Sequence, residues 1–364
     1  MGQEKQPKAH HFVPVAHLAR FSGSPNSVPL RDRILHVYDK RSGQFRSAKA
    51  KNVAFQNDLY TTRTPDLSGV QPDLQQLLET VFDPAKKDAE VERAKIDIEA
   101  GGLSAMQELE LWTVGQHEVP GEQKGALLAY IGLLLAQHPT MMDARASAIR
   151  QKFRAATAPR FKLPPPLRTI FDEFSSGAGV LALAMDAFAS AFELSYLGWR
   201  VIRWPDGPHL ILGDVGVAVR YPLDPLGVGG PWTEQAMFLL PVSPTTLLIV
   251  GGSAPGACVV EARGGGDAGS EIAAINSVSW ARSRSEVYGG ELHDLEQTLA
   301  IVGLREGSAD HSTQVHVRGS VLPDFFVDDG GQLEIVQPPN PSPEETHTRF
   351  VLKFQNAQNR GERT

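Results

Sequence analysis

Cysteine is almost missing from this chain: Cys258 is the only one in 364 residues. One thiol cannot close an intrachain disulfide or build a multi-cysteine zinc site. Set in Ala257-Cys258-Val259-Val260, it reads as a buried, inert thiol, since a free Cys packs mostly as a small hydrophobe. The opening, Met1–Lys8, lacks the apolar run of a secretory signal. No clean membrane span is present either. Gly125–Ala136 is too short, and Gly177–Leu197 carries Asp186 and Glu193 inside it, which fits buried core helices better. These absences lead us to expect a reducing cytoplasm and no membrane partner. An excess of positive charge is also missing. A net charge of −7 argues against a protein that coats nucleic acid over its whole surface. It leaves room for a local basic face, and Arg145, Arg150, Lys152, Arg154, Arg160 and Lys162 are one candidate, otherwise a solvated helix face.

The common chemical motifs are absent too. There is no phosphate loop, no dinucleotide glycine fingerprint after a strand, no Gly-x-Ser-x-Gly elbow and no His-Glu-x-x-His. Gly264-Gly265-Gly266 lacks a strand-to-helix setting and reads as a plain loop.

What is present is a globular composition, 41% hydrophobic and 21% charged, with length for one large or two ordinary domains. The spacing predicts an α+β protein with an N-terminal helix-hairpin, a helical middle and a mixed β-rich C-terminal part. The expected regions are 1–64, 65–198, 199–336 and a C-terminal tail, 337–364. Pro14 suits a helix start, so a helix is expected from Pro14 to Phe21. Ile34–Tyr38 and the chain from Gln44 flank a turn at Asp39–Gly43. Leu74, Leu77, Leu78 and Val81 share a helical face. Asp83-Pro84 opens a charged helix that Gly101-Gly102 is expected to close. Gly125–Gln137 is apolar all round, as befits a central helix, and His138-Pro139 ends it. Trp199–Trp204 and His209–Leu212 are expected to form a hairpin. Further strands are expected at Val217–Arg220, Met237–Leu240, Thr246–Val250 and Cys258–Glu261, then a helix from Glu271 to Tyr288.

The densest chemistry lies in Ala9–Phe21, with three histidines, His10, His11 and His17, around one proline. His10-His11-x-x-Pro14 is similar to the opening of His-Asn-His endonucleases, whose histidine activates water while a metal stabilises the leaving oxygen. The spacing to Asn52, Asn57 and Asp58 is longer than in that motif, and its glycine pair is missing. The alternative is a histidine that positions the first helix against the hairpin. His17 reads as structural. Tyr38 and Tyr60 read as packing residues with a polar edge. Asp214 follows a strand and is either a turn former or a metal oxygen. Asn276 lies in an apolar helix and belongs either to a core network or to a site.

His11-Phe12-Val13-Pro14 with Leu18 and Phe21, then Val37-Tyr38-Asp39, then Lys51-Asn52-Val53 leading to Asp58-Leu59-Tyr60, resembles a bacterial and fungal domain-of-unknown-function family numbered four-two-three-eight. Three later segments follow. Leu212-Gly213-Asp214-Val215-Gly216 keeps the aspartate of the family's Ser-Asp-Asn-Pro but not the other three residues. Pro241-Val242-Ser243-Pro244 and Ile275-Asn276 keep their motifs, whereas Gln137-His138-Pro139-Thr140 stands where the family tends to have an arginine before Thr-Pro. The likeness spans roughly Ala9–Tyr288. It implies no activity, but His11, Asp58, Tyr60, Asp214 and Asn276 are the polar positions that coincide with its motifs. Two functions are expected from these residues. One is a metal-dependent phosphodiesterase, a nuclease-like effector. There His11 is the base, Asp58 and Asp214 hold a divalent metal, and Asn52 or Asn276 polarises the substrate. The other is a non-enzymatic module that binds a protein or small ligand in bacterial defence or regulation. The partner is correspondingly a nucleic acid or a protein.

Overall fold

The computed structural model describes residues 9–57, 59, 72, 76, 84–139, 198–206, 208–220, 237–251, 258–264 and 268–306, with four short C-terminal strands. Within them the class is α+β. The expected helical face at 74–81, the basic run at 145–162, the helix near 177–197 and the Gly264–Gly266 loop beyond its first residue lie outside the described residues.

The N-terminal part opens with β1 (Ala9–His11), α1 (Val15–Arg20), β2 (Ile34–Asp39), β3 (Gln44–Lys49) and β4 (Phe55–Asn57). Pro14 caps α1 from just outside it, and the Leu18 N–H returns to the Pro14 carbonyl at 3.0 Å. β2 and β3 pair antiparallel from Ile34↔Lys49 to Asp39↔Gln44, with Gly43 at φ 68 closing the turn between them. A left-handed φ of that kind favours glycine.

Two long helices follow, α2 (Pro84–Leu111) and α3 (Gly121–Gln137), with β5 (Gly115–His117) between them. Gly101-Gly102 does not end α2, contrary to the expectation. A Cβ on Gly102 would sit 2.4 Å from the Tyr130 side chain. The glycine therefore lets α2 and α3 approach closely instead of breaking the helix. α3 is apolar on all sides because it is central: Leu127, Tyr130, Ile131, Leu133 and Leu134 are all buried.

Between Trp199 and Ala262 the described elements are all strands: β6 (Trp199–Arg203), β7 (Leu212–Gly213), β8 (Ala218–Arg220), β9 (Met237–Ser243), β10 (Thr246–Gly251) and β11 (Cys258–Ala262). Then come α4 (Ala268–Arg282), β12 (Glu286–Gly289) and α5 (Leu292–Glu306). The helix expected to reach Tyr288 stops at Arg282. There the Ser283 N–H turns back to the Ser279 and Trp280 carbonyls, and the chain resumes as a strand. Near the C-terminus, His316–Val317 pairs with Ser320–Val321, and Leu333–Val336 with Val351–Phe354.

Two sheets organise this material, in the orders β5-β11-β6-β10-β9-β8 and β3-β2-β12-β7. β6 and β7 belong to different sheets, so Trp199–Leu212 is not a hairpin. The connecting chain is drawn instead to the β9–β10 turn, where the Trp204 N–H meets the Thr245 carbonyl and the Leu210 N–H meets that of Pro244. Alternation along the central strands feeds two cores. Trp199, Val201, Leu240, Leu248 and Val250 pack with α2 and α3, while Ile202, Leu239 and Leu247 pack with α1, the hairpin and α4. Cys258 is fully buried in the first core, and burial pushes its thiol up to about 11. That is the inert state expected.

Candidate functional site

β1 is held by β4 in the register Ala9↔Asn57 and His11↔Phe55, and the Phe12 N–H extends the pairing to the Ala54 carbonyl at 2.9 Å. His11 therefore packs against the chain that leads to Asp58. Its Nδ1 donates to the Val53 carbonyl at 3.1 Å, which fixes the tautomer and makes Nε2 the basic nitrogen. Ala54, between the two accepting carbonyls, has φ 50. A residue with a Cβ pays about 1–2 kcal/mol for that conformation. The half-buried imidazole lies 5.6 Å from the Phe55 ring. Burial first, then the charges of Lys95 and Arg31, lower its pKa to about 4 against the opposing bond to Val53. His11 is thus neutral at physiological pH. Burial and two cations are the causes of that neutrality.

The same short segment ties the molecule together. Lys95 on α2 donates to the His11 carbonyl at 3.0 Å and pairs with Glu99. Gln137, the last residue of α3, donates to the Phe12 carbonyl at 2.6 Å. His17 is fully buried; its Nε2 donates to the Pro241 carbonyl at 2.8 Å, and its Nδ1 accepts from the Tyr130 hydroxyl at 2.9 Å. Burial lowers its pKa to about 4 as well. Arg20 donates to the Val242 carbonyl at 2.8 Å and pairs with Glu110. His17 is structural, as the sequence suggested.

Phe12 links this segment to a second polar centre. Its ring meets His138 edge-on at 5.1 Å, and His138 Nε2 lies 3.7 Å from the Asp214 carboxylate. Asp214 sits in the Gly213–Gly216 turn and is wholly buried. It accepts the N–H groups of Arg284 and Ser285 at 2.7 Å, the Ser285 hydroxyl at 2.8 Å and the Glu286 N–H at 3.1 Å. Burial raises its pKa, but His138 and those N–H groups outweigh burial and hold it well below the usual carboxylate range.

Asn276 lies on the buried side of α4. Its Oδ1 accepts the Ile211 N–H at 3.0 Å, and its Nδ2 donates to the His209 carbonyl at 2.9 Å and to Thr298 Oγ1 at 3.4 Å. It is a core network member. Asn52 is exposed at the end of the short 3-10 turn Ala50–Asn52. Tyr38 packs against Phe45 and Trp280, both with ring centroids 4.9 Å away. Asp58 and Tyr60 lie outside the described residues. Among the described residues no group of three His, Cys, Asp or Glu side chains is placed to hold a metal ion.

The structure therefore brings His11, Lys95 and Arg31 together, and separately Asp214 with His138. Sequence reasoning missed Lys95, Tyr130, Gln137 and His138. His138 stood out only as a helix terminator and as part of a departure from a family motif, and Lys95 is one of several lysines in a charged helix.

Residues 9–291 match the family described as Protein of unknown function (DUF4238), and the chain belongs to it. No curated protein and no solved structure matches it. Among the described residues no helix is long and apolar enough to cross a membrane.

Proposed function

We propose that this member of DUF4238 is a nuclease-like phosphodiesterase with His11 as general base. The observation that carries the reading is a neutral imidazole of fixed tautomer, half-open to solvent, with the cations Lys95 and Arg31 nearby. Such a setting favours an anionic substrate and leaves the ring able to take a proton. In hydrolysis, His11 Nε2 accepts a proton from water, the water oxygen bonds to phosphorus, and the ester P–O bond breaks, the leaving alkoxide taking a proton from solvent to become the alcohol. A phosphodiester beside the exposed Arg31 offsets its charge, so the basicity of His11 rises when substrate arrives. The strained Ala54 adjoins this ring, and stored backbone strain clusters at working sites.

A divalent metal would supply the stabilisation of the leaving oxygen. Of the two carboxylates the sequence offers for it, Asp214 already accepts four hydrogen bonds, and Asp58 directly follows β4 outside the described residues. A reducing cytoplasm suits the buried Cys258.

A second reading, a non-enzymatic binding module in defence or regulation, is favoured by how fully Asp214 and Asn276 are consumed by internal bonds. The two separate on one experiment. Labelled single-stranded DNA and RNA are incubated with the protein and Mg²⁺ or Mn²⁺. Cleavage that is lost in His11→Ala, with a melting temperature within a few degrees of wild type, supports the enzyme. Absence of cleavage by the wild-type protein with either metal supports the binding module.

A further inference from the structure

The chain is acidic overall, yet residues 31–51 hold seven Lys and Arg against two acidic residues, a local net charge of +5. The structure shows where that charge goes. β3 is an edge strand of its sheet, and nearly all of its residues are exposed. Arg46 on β3 pairs with Glu286. Lys49 and Lys51 both reach the single carboxylate of Asp32, at 3.2 and 3.0 Å. Three cations thus share two carboxylates. Arg31 and Arg41 are exposed at the two ends of this array. Arg33 and Lys40 spend much of their bonding on backbone carbonyls and keep their charge.

The array has a direction. The β2–β3 register sets Lys49 opposite Ile34, at the root of the hairpin, with Arg31 three residues before it. Arg31 is one of the two cations that act on His11. Arg41 lies in the hairpin turn, at the far end. At about 3.4 Å per residue the six residues of β3 span about 20 Å, enough for several backbone phosphates in a row. Two aromatic rings flank the path: Phe45 at the turn end of β3, and Phe55 beside His11, both partly exposed. A row of cations on an exposed strand edge with an exposed aromatic ring near each end suits a single strand, whose unpaired bases stack on such rings.

We propose that the exposed edge of the β2–β3 hairpin is a binding surface for single-stranded nucleic acid, which it leads from Arg41 toward Arg31 and His11. This deepens the phosphodiesterase reading by making the substrate a polynucleotide; binding itself does not depend on His11 being a base.

The test measures binding of fluorescent oligo(dT), oligo(U) and a DNA duplex to the full-length protein across a salt series, in EDTA to prevent cleavage. The wild-type protein is expected to bind both single strands more tightly than the duplex, with affinity falling steeply as salt rises. The exposed double variant Arg31→Glu/Arg41→Glu should lose at least tenfold in affinity and show a shallower salt slope, with an unchanged melting temperature. Binding is read in EDTA apart from cleavage, so a wild-type protein that binds single strands but cleaves none with either metal overturns the hydrolytic reading alone, and the two failures are distinguishable. Equal affinity of wild type and double variant overturns the proposal, as does tighter binding of the duplex. Binding of anionic phosphatidylserine vesicles or of oligo-glutamate in preference to oligo(dT) overturns it too.

Discussion

His11 and Asp214 are both polar positions of family motifs, and they lie in opposite physical situations. Around Asp214 the protein has finished its own chemistry: a buried carboxylate accepts three N–H groups and a hydroxyl and faces His138. Around His11 less is saturated, although Lys95 there is already paired with Glu99. A half-open neutral ring lies near two cations, beside a residue in the left-handed region. A saturated group holds a fold together, whereas an unbalanced one has something left to offer a ligand. The difference marks the Asp214 centre as a stabilising one and agrees with the reactive role proposed for His11.

The largest effect expected falls on Asp214. Asp214→Ala strips partners from Arg284, Ser285, Glu286 and His138 at once, and should cost about 3–5 kcal/mol in denaturant unfolding. A loss below about 1 kcal/mol would erase the contrast. Next is a pH effect at His17. Its folded pKa is about 4 against 6.5 when unfolded. The lowered value means that the stability it brings is complete above pH 6.5 and is lost as pH falls towards 4. The sum is about 3 kcal/mol. Unfolding of wild type and His17→Gln, followed from pH 7 to 4, should show a flatter slope in the variant. Gly102→Ala should cost about 1–3 kcal/mol by forcing α2 away from Tyr130, read as a lowered melting temperature. Smallest is the stability cost of His11→Ala, about 1 kcal/mol for one partly exposed hydrogen bond. A loss of 3 kcal/mol or more would place His11 with Asp214 among the structural residues.

Much of the fold was legible because local pattern and tertiary need agreed. Pro14 announced α1, the apolar surround of Gly125–Gln137 announced a central helix, and β-branched runs after Trp199 announced the sheet. The sequence misled where a local signal had a nonlocal cause. Gly101-Gly102 looks like a helix end but serves the approach of α3. Pro205-Asp206 looks like a hairpin turn, yet the chain there is captured by the β9–β10 turn. Glu286–Tyr288 continued a helical pattern until Asp214, about 70 residues earlier in the chain, took up the N–H groups of the turn. Of the candidate site, His11 was visible in the sequence through its motif. Lys95 and His138 were not, because their importance comes from what long helices carry them against.

The most direct test of the division between a working His11 and a structural Asp214 is a paired measurement on one pair of variants. Melting temperature and single-stranded oligonucleotide cleavage with Mn²⁺ are recorded for His11→Ala and Asp214→Asn. His11→Ala is expected to melt within a few degrees of wild type and to cleave no longer. Asp214→Asn should melt well below it, yet still cleave at temperatures where it remains folded. Cleavage at the wild-type rate by His11→Ala, or a folded Asp214→Asn protein that has lost all cleavage, would contradict that division.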